Sequence, residues 1–127
     1  MKLTKNFSVK ECSCKCCGQC EMDQDFMNIL QKIREEFGGP IKLSSAYRCS
    51  AYNQAVSSSG ANGPHTSGKA VDVVISGSDA FKFLGIAKEN GVQGFGFDQK
   101  GDHQKRFIHI DTLEPSEGRP RPCVWTY

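Results

Sequence analysis

The chain has 127 residues, a length that suits one domain with a modest hydrophobic core. Hydrophobic residues make up 38% of it and charged residues 24%, a globular composition that excludes a disordered protein. The formal net charge is only +2, and acidic and basic residues are interspersed without a long basic run, so the chain is not expected to bind nucleic acid.

No targeting signal is expected in the N-terminal segment, residues 1–22. Met1–Lys10 contains three lysines and no apolar run long enough for a signal peptide. No window of the chain approaches a transmembrane span. We therefore expect no membrane insertion, and synthesis in the cytoplasm unless the chain is a mature form whose leader has been removed.

The same segment is rich in cysteine. Five of the seven cysteines lie between Cys12 and Cys20, while Cys49 and Cys123 stand alone. An odd number leaves at least one thiol unpaired if the others form intrachain disulfides. In a chain without a leader, close Cys-x2-Cys spacing is more typical of a metal site or of reduced thiols than of disulfides.

The first helix is predicted from about Asp23 to Phe37. Its apolar residues recur at helical spacing and form a single stripe. Asp23 is a suitable N-cap, and the sequence Gly38-Gly39-Pro40 ends the helix. The stripe consists of Phe26, Ile29, Leu30, Ile33 and Phe37.

The next part of the chain is predicted to contain two strands separated by a short helix and a loop. Ile41–Ser45 has the pattern of a short strand, and Ser50 can cap a helix that extends to about Ser58. Ser57–Pro64 is rich in serine and glycine, as loops are. Ala70–Ile75 is apolar and β-branched, which predicts a buried strand, although it includes one acid.

A second long helix is predicted from about Ser78 to Asn90. Gly91 suits the position that follows its C-cap. The residues expected to face inward are Ala80, Phe81, Leu84 and Ala87.

The C-terminal part is predicted to form two strands and an extended tail. The strands, Gly94–Phe97 and Phe107–Thr112, are joined by a turn around Gly101-Asp102, and the tail is Pro115–Tyr127. Helices packed on one side of a small antiparallel sheet give an α+β domain. We expect a single domain over residues 1–127, with residues 1–22 as a cysteine-rich segment and residues 23–127 as the core.

Candidate metal ligands lie in two of the predicted strand regions. His65 stands in the loop before a strand, and Asp72 lies seven residues later inside that strand. An unpaired carboxylate among Ala, Val and Ile is costly to bury, so Asp72 needs a cation, a metal or hydrogen-bond donors. In the later strand, alternation places Phe107, His109 and Asp111 on one face. Two histidines and one carboxylate, with an open position for water, form the ligand set of a catalytic zinc site.

Each of these residues alone has a simpler interpretation. A single histidine in a strand is more often a core or edge residue, and a single Asp more often a cap or ion-pair partner. Three residues of ligand type in two strand contexts favour a metal site over these separate roles.

Nearly the whole chain, from Phe7 to Trp125, resembles the M15 family of zinc peptidases. That family includes D-alanyl-D-alanine carboxypeptidases, vancomycin-resistance dipeptidases and phage endolysins, and shares its fold with the hedgehog signalling domain. The segments that carry the resemblance are Ser45-Ala46-Tyr47-Arg48-Cys49, Asn53, His65-x6-Asp72, His109-x-Asp111 and Arg121-x3-Trp125.

The resemblance implies roles for individual residues. His65, Asp72 and His109 would be the zinc ligands. Arg48 would bind the substrate carboxylate or steady the tetrahedral intermediate, and Tyr47 would contact substrate beside it. A guanidinium suits bidentate carboxylate recognition, although a surface ion pair is the simpler interpretation of Arg48.

The general base is where the sequence departs from the family. Members carry an acid three residues before the distal histidine or a histidine two before it, but these positions are Arg106 and Phe107 here. We expect Asp111, on the strand face of His109, to be the base; the alternative is that it orients the histidine. Three other candidates for the general base lie in the preceding turn: Asp98, Asp102 and His103.

The cysteines resemble a Cys-x2-Cys-Gly element of the same subgroup, here Cys14, Cys17 and Gly18, together with Cys49. Three interpretations stay open. A structural zinc could be held by Cys14, Cys17 or Cys20 with Cys49, disulfides could form after release to an oxidising compartment, or the thiols could be reduced and without a role.

Together these features predict a monomeric zinc-dependent peptidase that acts on peptidoglycan peptides near D-amino acids. It would act in the periplasm or cell wall after release, for instance as a phage lysin, and either carboxypeptidase or endopeptidase activity is compatible with the sequence. The alternative is an inactive, zinc-stabilised binding module of the same fold, which the missing acid before His109 favours. A cysteine-rich regulatory or nucleic-acid module rests on Cys12–Cys20 alone and leaves His65 and Asp72 unexplained.

Overall fold

The computed structural model describes residues 1–116 and 118–127, which form an α+β fold. Within these residues there are three α-helices, α1 to α3, and seven strands, β1 to β7. The helices are Gln24–Phe37, Ser50–Val56 and Gly77–Glu89; the strands are Lys2–Thr4, Phe7–Ser8, Lys42–Ser45, Ala70–Val74, Gly94–Asp98, Phe107–Asp111 and Cys123–Thr126.

Helix α1 forms where the sequence predicts it. The carboxylate of Asp23 accepts a hydrogen bond from the backbone N–H of Phe26 at 2.9 Å, which confirms Asp23 as the N-cap. Gly38 ends the helix in the left-handed region, with φ of 80°. The predicted stripe is buried at Phe26, Leu30 and Ile33 and half-buried at Ile29 and Phe37, and Met27 joins it.

Helix α3 corrects one predicted core residue. Phe81 is 82% exposed, whereas Phe83 is fully buried. Ala80, Phe83 and Ala87 are separated by three and four residues and share one face, so Phe81 falls on the solvent side. The prediction of Ala80 and Ala87 as inward-facing residues is confirmed.

The short helix α2 begins one residue earlier than its predicted cap implies. Its N-cap is Cys49, whose sulfur lies 3.5 Å from the backbone nitrogen of Tyr52, and Ser50 is already the first helical residue. The helix ends at Val56. Of the predicted loop that follows, Gly60–Asn62 forms a single turn of 3-10 helix.

Five strands form the main sheet in the order β3-β4-β6-β5-β7. The first four pair antiparallel, as predicted, but β7 pairs parallel to β5. The predicted extended tail is therefore a fifth strand at Cys123–Thr126, and Glu117 of that tail lies outside the described residues.

One face of this sheet is apolar and buried, and the other carries polar residues. One face packs against α1 and α3 and forms the core, so the helices cover one side, as predicted. Its main sheet residues are Val71, Val73, Phe95, Ile108 and Ile110. On the opposite face, strand register aligns Ser45, Asp72, His109, Gly96 and Trp125 in one row across all five strands. That row carries the polar residues discussed below.

The cysteine-rich segment packs onto the same core. β1 and β2 form a small antiparallel hairpin, and Phe7 and Cys12 are buried with the residues of α1. The backbone N–H of Tyr47 donates to the carbonyl of Cys12 at 3.2 Å, which joins the segment to the end of β3. None of the helices described is long and apolar enough to cross a membrane.

Candidate metal centre

His65, Asp72 and His109 meet on the open face of the sheet, and we call them the His-Asp-His cluster. β4 and β6 are paired so that Asp72 lies directly opposite His109. His65 reaches the same point from the 3-10 turn Pro64–Ser67, which precedes β4. One ligand atom from each residue lies within 4.8 Å of the other two.

Gly68 makes this turn fit against the N-terminal segment. Its φ is +76°, and its carbonyl accepts the backbone N–H of Asp23 at 2.8 Å. A Cβ at this position would meet the backbone of Glu21, so a larger residue would push the turn away. The close approach holds the turn that carries His65 against the end of the N-terminal segment.

The ring of His65 is oriented by a backbone carbonyl. Its Nδ1 lies 2.7 Å from the carbonyl oxygen of Ala46, and its Nε2 lies 3.2 Å from Oδ1 of Asp72. A carbonyl oxygen can only accept a hydrogen bond, so Nδ1 carries the proton. The lone pair of Nε2 is then free to bind a metal.

The ring of His109 is oriented by a carboxylate in the same way. Its Nε2 lies 2.8 Å from Oδ2 of Asp111, and its Nδ1 lies 3.1 Å from Oδ1 of Asp72. Donation from Nε2 to Asp111 leaves the lone pair of Nδ1 directed at Asp72.

The His-Asp-His cluster therefore presents three acceptors to one point. All three side chains are buried, and three converging lone pairs without a cation would repel one another. Without a metal, this repulsion is relieved when the ring nitrogens donate hydrogen bonds to Asp72. Burial raises the pKa of Asp72, but such hydrogen bonds from His109 and His65 outweigh it and hold that pKa well below its usual range. The ligand types match the two-histidine, one-carboxylate set of catalytic zinc, so the residues suit that ion.

Arg48 lies beside this cluster and is held by two polar side chains. Its Nη2 is 3.6 Å from Oδ2 of Asp72. Its Nε donates to the hydroxyl of Ser45 at 3.0 Å, and its Nη1 donates to the side-chain oxygen of the buried Asn53 at 3.1 Å. The guanidinium is thus fixed at the wall of the cleft next to the cluster.

Tyr47, predicted to contact substrate, points elsewhere. Its phenol donates to Oε2 of Glu21 at 2.9 Å, and the ring is buried. Burial and the nearby carboxylate raise its pKa to about 12. Tyr47 is not among the residues that line the cleft. The geometry gives it a role in packing and offers no support for the predicted contact.

Asp111 faces the far side of the His109 ring. It is fully buried and accepts two hydrogen bonds from Arg121, Nε to Oδ1 at 2.9 Å and Nη2 to Oδ2 at 2.8 Å. Burial raises its pKa, but hydrogen bonds from His109 and Arg121 lower it to about 2. A carboxylate with these partners is a weak base and lies outside the cleft. These contacts favour the alternative role, orientation of His109.

None of the three other candidates for the general base lines the cleft either. Asp98 ends β5, and the side chain of Asp102 caps the next turn by accepting from the backbone N–H of Gln104 at 3.0 Å. His103 lines a separate depression beside Ile75.

Sequence reasoning left Trp125 without a role. Its ring centroid lies 5.1 Å from that of His109, and the guanidinium of Arg121 lies 5.1 Å from the indole centroid. Gly96 lies beneath the indole, and its missing side chain gives the ring space to pack against the strand. An added Cβ would come within 2.7 Å of Trp125 Cε2. Gly94 likewise gives space to the Asp111–Arg121 pair, because an added Cβ there would collide with both side chains. Two glycines inside a strand are the sequence signal that could have revealed this close packing.

The cleft above the cluster has a volume of about 580 Å³. Tyr127 stands at its edge with its ring 5.1 Å from that of Phe107, and burial raises the pKa of its phenol, which stays a hydrogen-bond donor at neutral pH. The cleft is lined by Arg48, Val56, Ser57, Ser58, Ser59, Pro64, His65, Asp72, Phe107, His109, Trp125, Thr126 and Tyr127.

Comparison with known families identifies a match over most of the chain. A sequence model described as peptidase M15 matches residues 5–111, a range that contains the whole His-Asp-His cluster, Arg48 and Asp111. No curated protein matches the chain, and no solved structure matches it.

Proposed function

The chain belongs to the peptidase M15 family, and from this premise we propose that it is a zinc-dependent peptidase that cuts peptidoglycan peptides near D-amino acids. Family membership makes it a metallopeptidase acting on a peptide. The observation that supports zinc catalysis most directly is the convergence of three buried lone pairs beside the fixed guanidinium of Arg48.

In this proposal, His65, Asp72 and His109 hold the zinc through Nε2, a carboxylate oxygen and Nδ1. Zinc, when bound, activates water as a nucleophile near neutral pH and polarises a peptide carbonyl. The protein shields the site from solvent on one side, since the three ligands are nearly inaccessible to solvent. On the other side the site opens into the cleft.

Arg48 is the proposed substrate-binding and catalytic residue. Its Nη2 faces the cluster, while Nε and Nη1 are engaged by Ser45 and Asn53. The remaining N–H groups can pair with a terminal carboxylate of the substrate or with the oxyanion that develops during attack. The two anchoring hydrogen bonds hold that charge in place before substrate arrives.

Asp111 is proposed to act through His109. Its carboxylate fixes the ring tautomer and raises the basicity of Nδ1, and Arg121 keeps the carboxylate ionised. Trp125 packs beside the same ring and limits its rotation.

The substrate is proposed to be a short peptide of the bacterial cell wall, cut by a monomer that acts in the periplasm or cell wall after release, in the manner of a phage lysin. The resemblance to cell-wall peptidases supports this choice. The cleft is compatible with it, since Val56 offers apolar contact for a small side chain and Ser57–Ser59 offer hydroxyls to the peptide backbone.

Incubation with purified peptidoglycan tests the proposal. We expect release of new amino groups, with the cleaved bond identified by mass spectrometry, and one zinc lost in His65→Ala. His103→Ala is the matched control, because His103 lies in another depression and should keep both zinc and activity. Intact peptidoglycan after incubation with zinc-loaded protein would overturn the enzymatic proposal.

A zinc-stabilised binding module is the second candidate. Among the described residues that line the cleft, Asp72 has the only acidic side chain, so no other acidic side chain there is free to serve as a general base. In that case the zinc-loaded protein would sediment with peptidoglycan and release no amino groups, and Arg48→Lys would weaken sedimentation.

A further inference from the structure

A second group of potential metal ligands includes Cys49, the residue that follows Arg48 in the chain. The sulfurs of Cys14, Cys17 and Cys49, here called the thiol cluster, lie within 4.8 Å of one another. Cys14 is buried, Cys49 half-buried and Cys17 exposed. Two of these thiols come from the N-terminal segment and one from the loop after Arg48, so the fold itself brings them together.

The backbone around Cys14 has the shape that such a cluster needs. The N–H of Gly18 donates to the carbonyl of Cys14 at 2.8 Å, and the N–H of Cys14 donates to the carbonyl of Gln19 at 2.7 Å. Gly18 closes this tight turn with φ of 75°. The turn puts Cys14 and Cys17 on one side, and the backbone N–H of Cys49 lies 3.4 Å from the sulfur of Cys14.

We propose that the thiol cluster binds a second metal ion of the zinc type, with Cys16 completing a tetrahedral shell. Zn–S bonds of about 2.3 Å place the sulfurs of a tetrahedral site roughly 3.8 Å apart, so the cluster needs only a small contraction. Cys-x2-Cys is the usual half-site for structural zinc. Each thiol loses its proton to solvent as the ion binds.

Cys16 is a further thiol beside the thiol cluster. Desolvation and the neighbouring Cys49 and Cys14 raise the pKa of its thiol, and the side chain is exposed, so it can turn towards the ion. Cys20, which the sequence offered as a ligand, packs instead against the hydrophobic core that contains Cys12. A single disulfide joins only two thiols, whereas one metal ion can use all three members of the thiol cluster.

The ion would fasten the N-terminal segment to the loop that carries the substrate-binding residue. The backbone N–H of Tyr47 already donates to Cys12, and that of Arg48 donates to the carbonyl of His65 at 3.1 Å. A bond from Cys49 to Cys14 and Cys17 through the metal would remove the remaining freedom of this loop. The metal therefore positions Arg48 and takes no part in the reaction; this consequence rests on the proposed function, while the metal site itself does not.

Metal content per chain is the direct test. We expect two zinc ions in the wild type, one in Cys17→Ser, one in His65→Ala and two in the control Cys123→Ser. Cobalt substitution should give thiolate-to-metal charge-transfer absorption in His65→Ala but not in Cys17→Ser, which separates the two sites. If zinc content is the same in Cys17→Ser and wild type, or if thiol titration shows a disulfide in the thiol cluster, the proposal is overturned.

Two further measurements protect this test. If Cys17→Ser does not fold, a mercurial thiol reagent added to folded His65→Ala should release one zinc per chain, and release of none would contradict the proposal. Cys16→Ser keeps all three residues of the thiol cluster, so the ion should stay bound and the cobalt absorption should fall by about one quarter, since one of four sulfur ligands is lost; unchanged absorption would remove Cys16 from the shell. A displaced Arg48 should raise KM for the peptide in Cys17→Ser while the zinc of the His-Asp-His cluster stays bound.

Discussion

Arg121 holds Asp111 through two parallel hydrogen bonds, from Nε to Oδ1 and from Nη2 to Oδ2, while the same carboxylate accepts from Nε2 of His109. The chain of contacts runs from guanidinium to carboxylate to imidazole and ends at Nδ1, which faces Asp72. A protonation or substitution at Arg121 or Asp111 should therefore change the orientation or basicity of His109, the proposed metal ligand.

Asp111→Asn distinguishes an orienting residue from a general base. An amide can still accept from His109 but pairs poorly with Arg121, so we expect zinc affinity to fall by about 10–100-fold. A base would instead leave zinc affinity unchanged and lower turnover by about 10²–10⁴-fold. Zinc titration and turnover measured on the one variant decide between these outcomes; near wild-type values for both would exclude either role.

Loss of a ligand should empty the His-Asp-His cluster. We expect His109→Ala and Asp72→Asn each to lose one zinc per chain by elemental analysis, because two remaining ligands do not hold the ion tightly. Asp102→Asn is the matched carboxylate control, since Asp102 caps a turn outside the cleft. Full zinc content in both ligand variants would contradict the assignment.

Arg48→Lys should separate recognition from folding. An ammonium keeps the charge but cannot reproduce the planar fork that bonds Ser45, Asn53 and a substrate carboxylate at once. We expect turnover on peptidoglycan to be lost while Tm stays within a few degrees of wild type and zinc content is unchanged. Arg106→Lys, at an exposed turn, provides the comparison. Unaltered turnover in Arg48→Lys would remove the arginine from the mechanism.

Two glycines should respond to alanine in opposite directions. Gly96→Ala brings a Cβ against the indole of Trp125, and such overpacking typically costs about 1–3 kcal/mol. Gly85→Ala, in α3 with open space around it, should stabilise by about 0.5–1 kcal/mol through helix propensity. Urea denaturation gives both values, and equal stabilities would argue against close packing of Trp125 on β5.

Asp111 should also make stability depend on acid pH in the metal-free protein. Its pKa falls from 3.8 in the reference state to about 2 in the fold, so its contribution is present above about pH 4 and is lost as the pH falls towards 2. The shift corresponds to about 2 kcal/mol. Denaturation between pH 5 and pH 2 should therefore show a smaller loss of stability in Asp111→Asn, and an identical slope would disprove the coupling.

The site residues that could be predicted from the sequence are polar side chains in segments that are otherwise apolar and expected to be buried. His65, Asp72 and His109 are polar groups in buried positions, and the structure brings the three together. Helix α1 was predictable because cap, stripe and terminal glycine agree. Family resemblance, and not spacing, singled out Arg48.

Other features depend on contacts that no local pattern encodes. The tail gave no sign that Cys123–Thr126 would pair parallel to β5, since parallel pairing joins segments far apart in sequence. Tyr47 turns away from the cleft because Glu21, 26 residues earlier, offers it a hydrogen bond. The sequence placed Arg121 in the family resemblance but gave it no role, which depends on the buried carboxylate of Asp111 that the fold brings beside it.

The antiparallel register of β4 and β6 has a consequence for folding. Asp72 faces His109 only in the observed pairing, because a shift by one residue would turn one of the two side chains to the opposite face of the sheet. A metal that needs both ligands therefore binds the chain with the observed strand register and does not bind chains with a shifted register. By mass action, zinc present during refolding should raise the yield of the native pairing and so act as a selector among competing strand alignments.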